Sequence, residues 1–101
     1  MLELEGMVAL VTGAGGGIGR AICRTLSARG ALVAAADHDM ELLQGIFEEL
    51  KENGGRAAMF FGDVSSRYDV RTMVNSSLRL FGRLDILVNN AGINYTTPVW
   101  D

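Results

Sequence analysis

Short apolar runs alternate along this chain with longer segments in which apolar residues recur every three or four positions. The apolar runs are five or six residues long and most are bounded by glycine or aspartate, which is typical of β-strands buried on both faces. The predicted strands are residues 7–12, 31–36, 57–61 and 84–88.

The three intervening segments have the period of amphipathic helices. Asp39 and Ser66 are suited to cap the second and third helices, whereas Gly30, Gly82 and the Asn53-Gly54-Gly55 segment are suited to end helices. The expected buried stripes are Ile18, Ile22 and Leu26 in the first helix, Leu42, Leu43, Ile46, Phe47 and Leu50 in the second, and Val70, Met73, Val74, Leu78 and Phe81 in the third.

The resulting order is β-α-β-α-β-α-β, which predicts an α/β fold with parallel strands joined by right-handed crossovers. We expect one doubly wound, Rossmann-like domain over residues 1–101, with the strands in the order 3-2-1-4. The fourth strand is then an apolar edge, so the isolated chain is expected to associate or to be marginally stable.

Composition excludes several classes of protein. Of the 101 residues, 49% are hydrophobic and 21% are charged, which is globular rather than disordered composition. The net charge of -3 argues against a nucleic-acid surface, and no apolar run approaches the roughly 18 residues of a membrane helix. A single cysteine and a single histidine leave no internal disulfide and no zinc set, and an acidic N-terminus argues against a signal peptide. We therefore expect a cytoplasmic protein without a metal.

The chain has thirteen glycines and one proline, a composition that indicates a loop whose backbone closely approaches a ligand. The segment Thr12-Gly13-Ala14-Gly15-Gly16-Gly17-Ile18-Gly19 lies between the first predicted strand and the first predicted helix. Glycines in this position allow a tight turn and let backbone N–H groups approach a pyrophosphate at the helix N-terminus. The alternative is a tight turn without a ligand. No Lys-Ser or Lys-Thr pair follows, which disfavours a nucleoside-triphosphate loop.

Asp37 follows the second predicted strand, 24 positions after Gly13. A carboxylate at this offset is suited to accept hydrogen bonds from the hydroxyls of an adenosine ribose, and it repels a 2′-phosphate. Position 38 is histidine rather than arginine, and the glycine-rich loop holds no arginine before Arg20. These features favour NAD over NADP as cofactor. The alternative is that Asp37 only caps the following turn.

Three motifs together resemble those of the short-chain dehydrogenases/reductases. The segment from Thr12 to Gly19 is similar to the TGxxxGxG motif of that family, Asp63-Val64 to its adenine-contacting pair, and Asn89-Asn90-Ala91-Gly92 to its NNAG motif. All three stand in the family's order and cover essentially the whole chain.

The resemblance implies a cofactor site made of three groups of residues. Asp37 would hold the adenosine ribose, Asn89 would steady the central sheet, and His38 is either a second ribose contact or, as we expect, a solvated histidine of the turn. The remaining implied contacts are Gly13, Gly15, Gly16, Gly17, Ile18 and Gly19 with the pyrophosphate, Asp63 and Val64 with adenine, and Asn90, Ala91 and Gly92 with the nicotinamide side.

The acid–base residues that the resemblance implies are absent from this sequence. The family uses a Tyr-x-x-x-Lys pair with a serine, but neither Tyr68 nor Tyr95 is followed by lysine four positions later, and the one lysine is Lys51. Because Thr97-Pro98 has the composition of a helix start near the last residue, we expect the chain to be the N-terminal half of a longer enzyme.

Two functions stay open at this point. The first is an NAD-dependent oxidoreductase acting on an alcohol or carbonyl substrate, for which this chain is the cofactor-binding part and which the resemblance implies is a homo-oligomer at full length. The second is a dinucleotide-binding module without catalysis of its own. Neither the substrate nor the direction of the reaction follows from the sequence.

Overall fold

The computed structural model describes residues 2–90 and has the predicted alternation of strands and helices. The elements in chain order are β1 (Val8–Thr12), α1 (Gly17–Ala28), β2 (Leu32–Asp37), α2 (Met40–Glu52), β3 (Ala57–Phe61), α3 (Arg67–Phe81) and β4 (Ile86–Asn89).

The strands form one parallel sheet in the order β3-β2-β1-β4, as predicted, with β4 at an edge. In the register of the sheet Thr12 lies beside Ala36 on one side and Asn89 on the other, while Asp37 lies beside Phe61. The carboxyl ends of all four strands therefore meet along one edge, where ligands of doubly wound sheets bind.

The core lies on both faces of the two central strands, because every residue of β1 and β2 is buried. Val11, Val33 and Ile46 belong to the cluster beneath α1 and α2, whereas Leu10 and Met73 belong to the cluster beneath α3. Helices on both faces of a parallel sheet are the result of right-handed crossovers, and they explain why the strands are continuous apolar runs.

Cys23 of α1 is a packing residue of this core. It is fully buried, and desolvation raises the pKa of its thiol to about 12, against a smaller opposing effect of Arg20. A thiol of such high pKa is a poor nucleophile at neutral pH.

Strand boundaries differ from the predicted ones by one or two residues. β2 includes Asp37, and β4 begins at Ile86 rather than at position 84. β4 begins later than predicted because the Val8 N–H donates to the Asp85 carboxylate at 2.8 Å, rather than to a backbone carbonyl of the neighbouring strand. The same carboxylate pairs with Arg83.

Three members of the predicted buried stripes are exposed. The exposed fractions are 58% for Ile18, 42% for Leu42 and 46% for Leu78. Ile18 and Leu42 lie in the first turns of α1 and α2, beside the loops at the carboxyl edge of the sheet, and Leu78 lies at the margin of the buried face of α3. Between residues 2 and 90 no helix combines the length and the apolar character needed to cross a membrane.

Candidate functional site

A cleft of about 420 Å³ lies at the carboxyl edge of the sheet. Its walls come from the loops that follow β1, β2 and β3 and from the first turn of α2. The predicted site residues among its lining are Gly13, Gly16, Asp37, Asp63 and Val64.

The glycine-rich loop makes a tight turn between β1 and α1. Gly13 has φ of +65°, and the loop is tied to β2 because the Ala14 N–H donates to the Ala36 carbonyl at 3.0 Å. Gly16 is the N-cap residue of α1, without any side-chain cap. Since the first N–H groups of a helix have no acceptor within the helix, this turn presents a partially positive helix end suited to an anion.

Gly19 is required because α1 passes very close to the turn. A Cβ atom at this position would lie 2.0 Å from the Gly13 carbonyl oxygen and 2.8 Å from Nδ2 of Asn90. At Gly17, in contrast, no atom of residues 2–90 outside the chain neighbours and the backbone of α1 lies within 4 Å of the Cβ position, so no other described residue covers the outer side of the turn. The loop thus packs tightly against the protein on one side and is accessible on the other.

Asp37 holds the turn from the side of β2. The residue is only 4% exposed, and its Oδ2 accepts a hydrogen bond from the Gly15 N–H at 2.9 Å, while Oδ1 accepts one from the Asp39 N–H at 3.0 Å. Nδ1 of the exposed His38 lies 3.4 Å from the same Oδ1. The carboxylate therefore stabilises the following turn, one of the two predicted roles, and also lies in the wall of the cleft.

Asp63 is exposed and lines the cleft from the loop after β3. Its Oδ1 accepts hydrogen bonds from the Ser65 N–H at 3.0 Å and the Ser65 hydroxyl at 2.6 Å. These bonds, and more weakly the charge of His38, hold the pKa of the Asp63 carboxyl below its ordinary value. Val64 is 7% exposed and packs into the core beneath α3, so this pair anchors the loop as well as lining the cleft.

Asn89 and Asn90 join β4 to the glycine turn through Thr12. The Thr12 hydroxyl donates to Oδ1 of Asn89 at 2.9 Å and accepts from the Asn90 N–H at 3.0 Å. Nδ2 of Asn90 donates to the Gly13 carbonyl at 3.1 Å. The expected sheet-steadying position of Asn89 agrees with these bonds, and Asn90 contacts the turn directly. Ala91, Gly92 and the predicted C-terminal helix start lie outside the described residues.

Four residues of this arrangement were not predicted as part of the site, namely Asp39, Leu42, Ser65 and Asp69. Asp39 was expected only as a helix cap, and Thr12 was expected within the glycine-rich motif but without its bonds to Asn89 and Asn90. The sequence could have indicated Ser65 and Asp69. Ser65 directly precedes the helix start at Ser66, Asp69 lies three residues after it, and the whole segment follows Asp63. The sequence contains no such signal for Leu42, which the helical period assigns to the core.

A parallel doubly wound sheet, in which the first strand leads through a glycine-rich turn into a helix, defines the Rossmann-like class of folds. The family model of the short chain dehydrogenases matches residues 7–101. The chain belongs to this family.

Two oxidoreductases of known sequence are similar to this chain over most of its length. The chain is 46% identical over 92 residues to an uncharacterized oxidoreductase of Thermotoga maritima, a match that covers 91% of this chain and 36% of that protein. It is 42% identical over 90 residues to 3beta-hydroxysteroid dehydrogenase 2 of Eggerthella lenta, covering 89% and 35% of the two chains. The chain therefore spans about a third of the length of the curated relatives it matches, rather than the expected half.

Two solved structures have the same fold as this chain. A metagenomic short-chain oxidoreductase in complex with NADP superposes with a TM-score of 0.82 at 42% identity, covering 88% of this chain and 40% of that one. An NAD+-bound xylitol dehydrogenase superposes with a TM-score of 0.83 at 40% identity, covering 89% and 35%.

Proposed function

We propose that the cleft binds a nicotinamide dinucleotide and that the protein is a short-chain oxidoreductase. In this proposal hydride passes between the nicotinamide and the reacting carbon of an alcohol or carbonyl substrate. The observation that carries it is the meeting of the glycine turn and the Asp37 carboxylate in one cleft, with Asp37 Oδ2 2.9 Å from the Gly15 nitrogen. Structures of the same fold bound to NADP and to NAD+ support it.

The pyrophosphate belongs, in this proposal, at the N-terminus of α1. The open side of the turn at Gly17 and the uncapped Gly16 fit an anion there, because among residues 2–90 no side chain caps the N-terminus of α1. The proposed pyrophosphate residues are Gly13, Gly15, Gly16, Gly17, Ile18 and Gly19, of which Gly15 and Gly19 act by allowing close packing.

Asp37 is the basis for a proposed preference for NAD. A 2′-phosphate beside this buried carboxylate would bring two like charges together at low exposure, which is unfavourable unless a cation compensates. Neither lysine nor arginine lines the cleft in the part of the chain that the structure describes. His38 is the nearest basic side chain, and it is exposed.

The two ends of the cofactor are assigned by position. We propose that Asp63 and the Val64 backbone bind the adenine, since they line the cleft from the loop after β3, which β2 separates from the glycine turn after β1. Asn90, Ala91 and Gly92 are proposed on the nicotinamide side. For Asn90 this role is combined with its hydrogen bond to the Gly13 carbonyl, which holds the turn.

The bound cofactor would supply the hydride chemistry, whereas this chain binds and orients it. We propose that acid–base groups come from a part of the protein outside this chain, because no Tyr-x-x-x-Lys occurs in the 101 residues and the match covers only 36% of the Thermotoga maritima relative. The chain would then be one dinucleotide-binding unit of a cytoplasmic homo-oligomer, and the fully buried Cys23 fits a reducing compartment.

Titration calorimetry of the purified protein with NAD and NADP tests the proposal. Tighter binding of NAD, with a preference that Asp37→Ala removes, is the expected result. A Gly17→Ala control keeps the carboxylate and should keep the preference. Absence of binding by either dinucleotide would refute the proposal. Hydride transfer is assayed on the intact protein, since the proposal places the acid–base groups outside this chain. An intact protein that binds a dinucleotide but transfers hydride to none of a panel of alcohols and carbonyls would favour a dinucleotide-binding module instead.

A further inference from the structure

The turn that carries Asp63 and Val64 is held in place by a carboxylate of the following helix. Asp69, in the first turn of α3, accepts a hydrogen bond from the Asp63 N–H on its Oδ2 at 3.0 Å. We propose that Asp69 is a positioning residue that orients Asp63 for recognition of the 6-amino group of adenine. This inference rests on the proposed function, because it concerns the adenine end of the same cleft.

Both backbone groups of Asp63 are fixed by the start of α3. The N–H donates to Asp69, and the carbonyl accepts from the Ser66 N–H at 3.0 Å. The Asp69 N–H donates to the Ser66 hydroxyl at 3.2 Å, a helix-cap bond that does not involve the Asp69 carboxylate. The peptide group that precedes Asp63 therefore has one orientation relative to the helix.

Gly62 connects this turn to the ribose side of the cleft. Its N–H donates to the Asp37 carbonyl at 3.1 Å, and a Cβ at Gly62 would lie 3.4 Å from Oδ2 of Asp69 and 2.9 Å from Cε of Met73. The Asp69 carboxylate therefore packs beside a residue that bonds directly to the end of β2. Orientation of Asp63 is thereby set relative to Asp37.

The side chain of Asp63 has a defined rotamer and a remaining acceptor. Ser65 binds Oδ1 through two hydrogen bonds, whereas Oδ2 accepts none from residues 2–90. An ionised carboxylate is only an acceptor, so it favours the adenine amino group and disfavours the carbonyl oxygen that hypoxanthine carries in its place. Positioning by Asp69 should consequently appear as selectivity between these two bases.

The experiment compares dissociation constants for NAD and for nicotinamide hypoxanthine dinucleotide, measured by titration calorimetry on the purified protein. The wild type should prefer NAD by about tenfold or more, the usual size for a hydrogen bond to a charged group. Asp69→Ala should lower this ratio at least about threefold. Asp69→Asn should keep most of the ratio, because its amide oxygen still accepts from the Asp63 N–H.

Ser66→Ala is the matched control for a general weakening of the helix start. It removes the cap hydrogen bond to the Asp69 N–H and should lower Tm about as much as Asp69→Ala, but it leaves the bond between Asp69 and Asp63 intact. The selectivity ratio of this variant should equal that of the wild type. If Asp69→Ala does not fold, Asp69→Ser replaces it, because the serine hydroxyl is too short to reach the Asp63 N–H. The ratio of affinities should then fall in Asp69→Ser by the same factor.

The outcomes separate this inference from the proposed function. An unchanged ratio in Asp69→Ala, or an equal loss in Ser66→Ala, would overturn the positioning role while cofactor binding stands. Equal affinity of the wild type for both dinucleotides would overturn adenine recognition by Asp63 and, with it, the role of Asp69. A wild type that binds neither dinucleotide would overturn the proposed function itself.

Discussion

The close approach of α1 to the glycine turn can be tested with one methyl group, through the variant Gly19→Ala. The added Cβ would lie 2.0 Å from the Gly13 carbonyl oxygen, whereas real Cβ contacts essentially never fall below 3.0 Å. Helix and turn must therefore separate by about 1 Å or more. The same Cβ would lie 2.8 Å from Nδ2 of Asn90, the group that donates to this carbonyl.

The magnitude follows from three effects. Overpacking of a tightly packed site costs about 1–3 kcal/mol, and loss of the hydrogen bond between Asn90 and Gly13 costs roughly 0.5–1.5 kcal/mol. Replacing glycine by alanine within a helix stabilises the helix by up to about 1 kcal/mol, which opposes the first two effects. These ranges combine to a loss of about 0.5–4.5 kcal/mol, and we expect Gly19→Ala to lower the free energy of unfolding by an amount near the middle, about 2–3 kcal/mol. Dinucleotide affinity should fall as well, because the turn moves.

Urea unfolding followed by circular dichroism measures this change, with Gly17→Ala as the matched control. Gly17 lies two residues earlier in the same helix, and within residues 2–90 only its chain neighbours and the backbone of α1 come within 4 Å of its Cβ position. The control should therefore be as stable as the wild type, or more stable by up to about 1 kcal/mol. If Gly19→Ala were as stable as Gly17→Ala, the close approach described above would be refuted.

Three further predictions concern other charged or titratable groups. Asp37→Asn should lower the free energy of unfolding by about 1–3 kcal/mol in urea titrations, because an amide cannot accept from both Gly15 and Asp39; unchanged stability would contradict this. Cys23, with a pKa of about 12, should resist alkylation by iodoacetamide at neutral pH in the native protein and react after unfolding; rapid native labelling would contradict its burial. The pKa of Asp85 is lowered from 3.8, chiefly by the hydrogen bond from Arg83, so its stabilising effect is complete above that value and lost as the pH falls through the lowered pKa. The stability difference between the wild type and Asp85→Asn should shrink over this acidic range, and a difference independent of pH would contradict it.

The sequence was sufficient to predict the order of elements and of strands. Strands buried on both faces are continuous apolar runs, and parallel crossovers have one hand, so few topologies fit the pattern. Boundaries were less predictable where a side chain takes the place of the backbone. Asp85 ends the ladder with its carboxylate, and nothing in the local sequence distinguishes this from one more residue of strand.

The residues around the cleft were easier to predict than the contacts that hold them. Gly13 and Asp37 follow from strand ends and known spacing, whereas Asp63 was expected only from the resemblance to the family motif. The bond that Thr12 donates to Asn89 and the bond that it accepts from Asn90 join residues 77 and 78 positions apart, and both depend on the register of β1 against β4. Such bonds become visible only when both strands are placed.

The polar residues of the cleft are bonded to the protein's own backbone, and this changes how substitutions must be interpreted. Asp37 accepts from two N–H groups, yet each carboxylate oxygen has two lone pairs, so both oxygens can accept a further bond from a ribose hydroxyl. Loss of the turn should weaken NAD and NADP alike, because both share the pyrophosphate. Loss of the negative charge should change only the ratio of the two affinities. Asp37→Asn compared with Asp37→Ala therefore separates the two roles, since both variants lose the charge and only the first can keep one of the bonds to the turn.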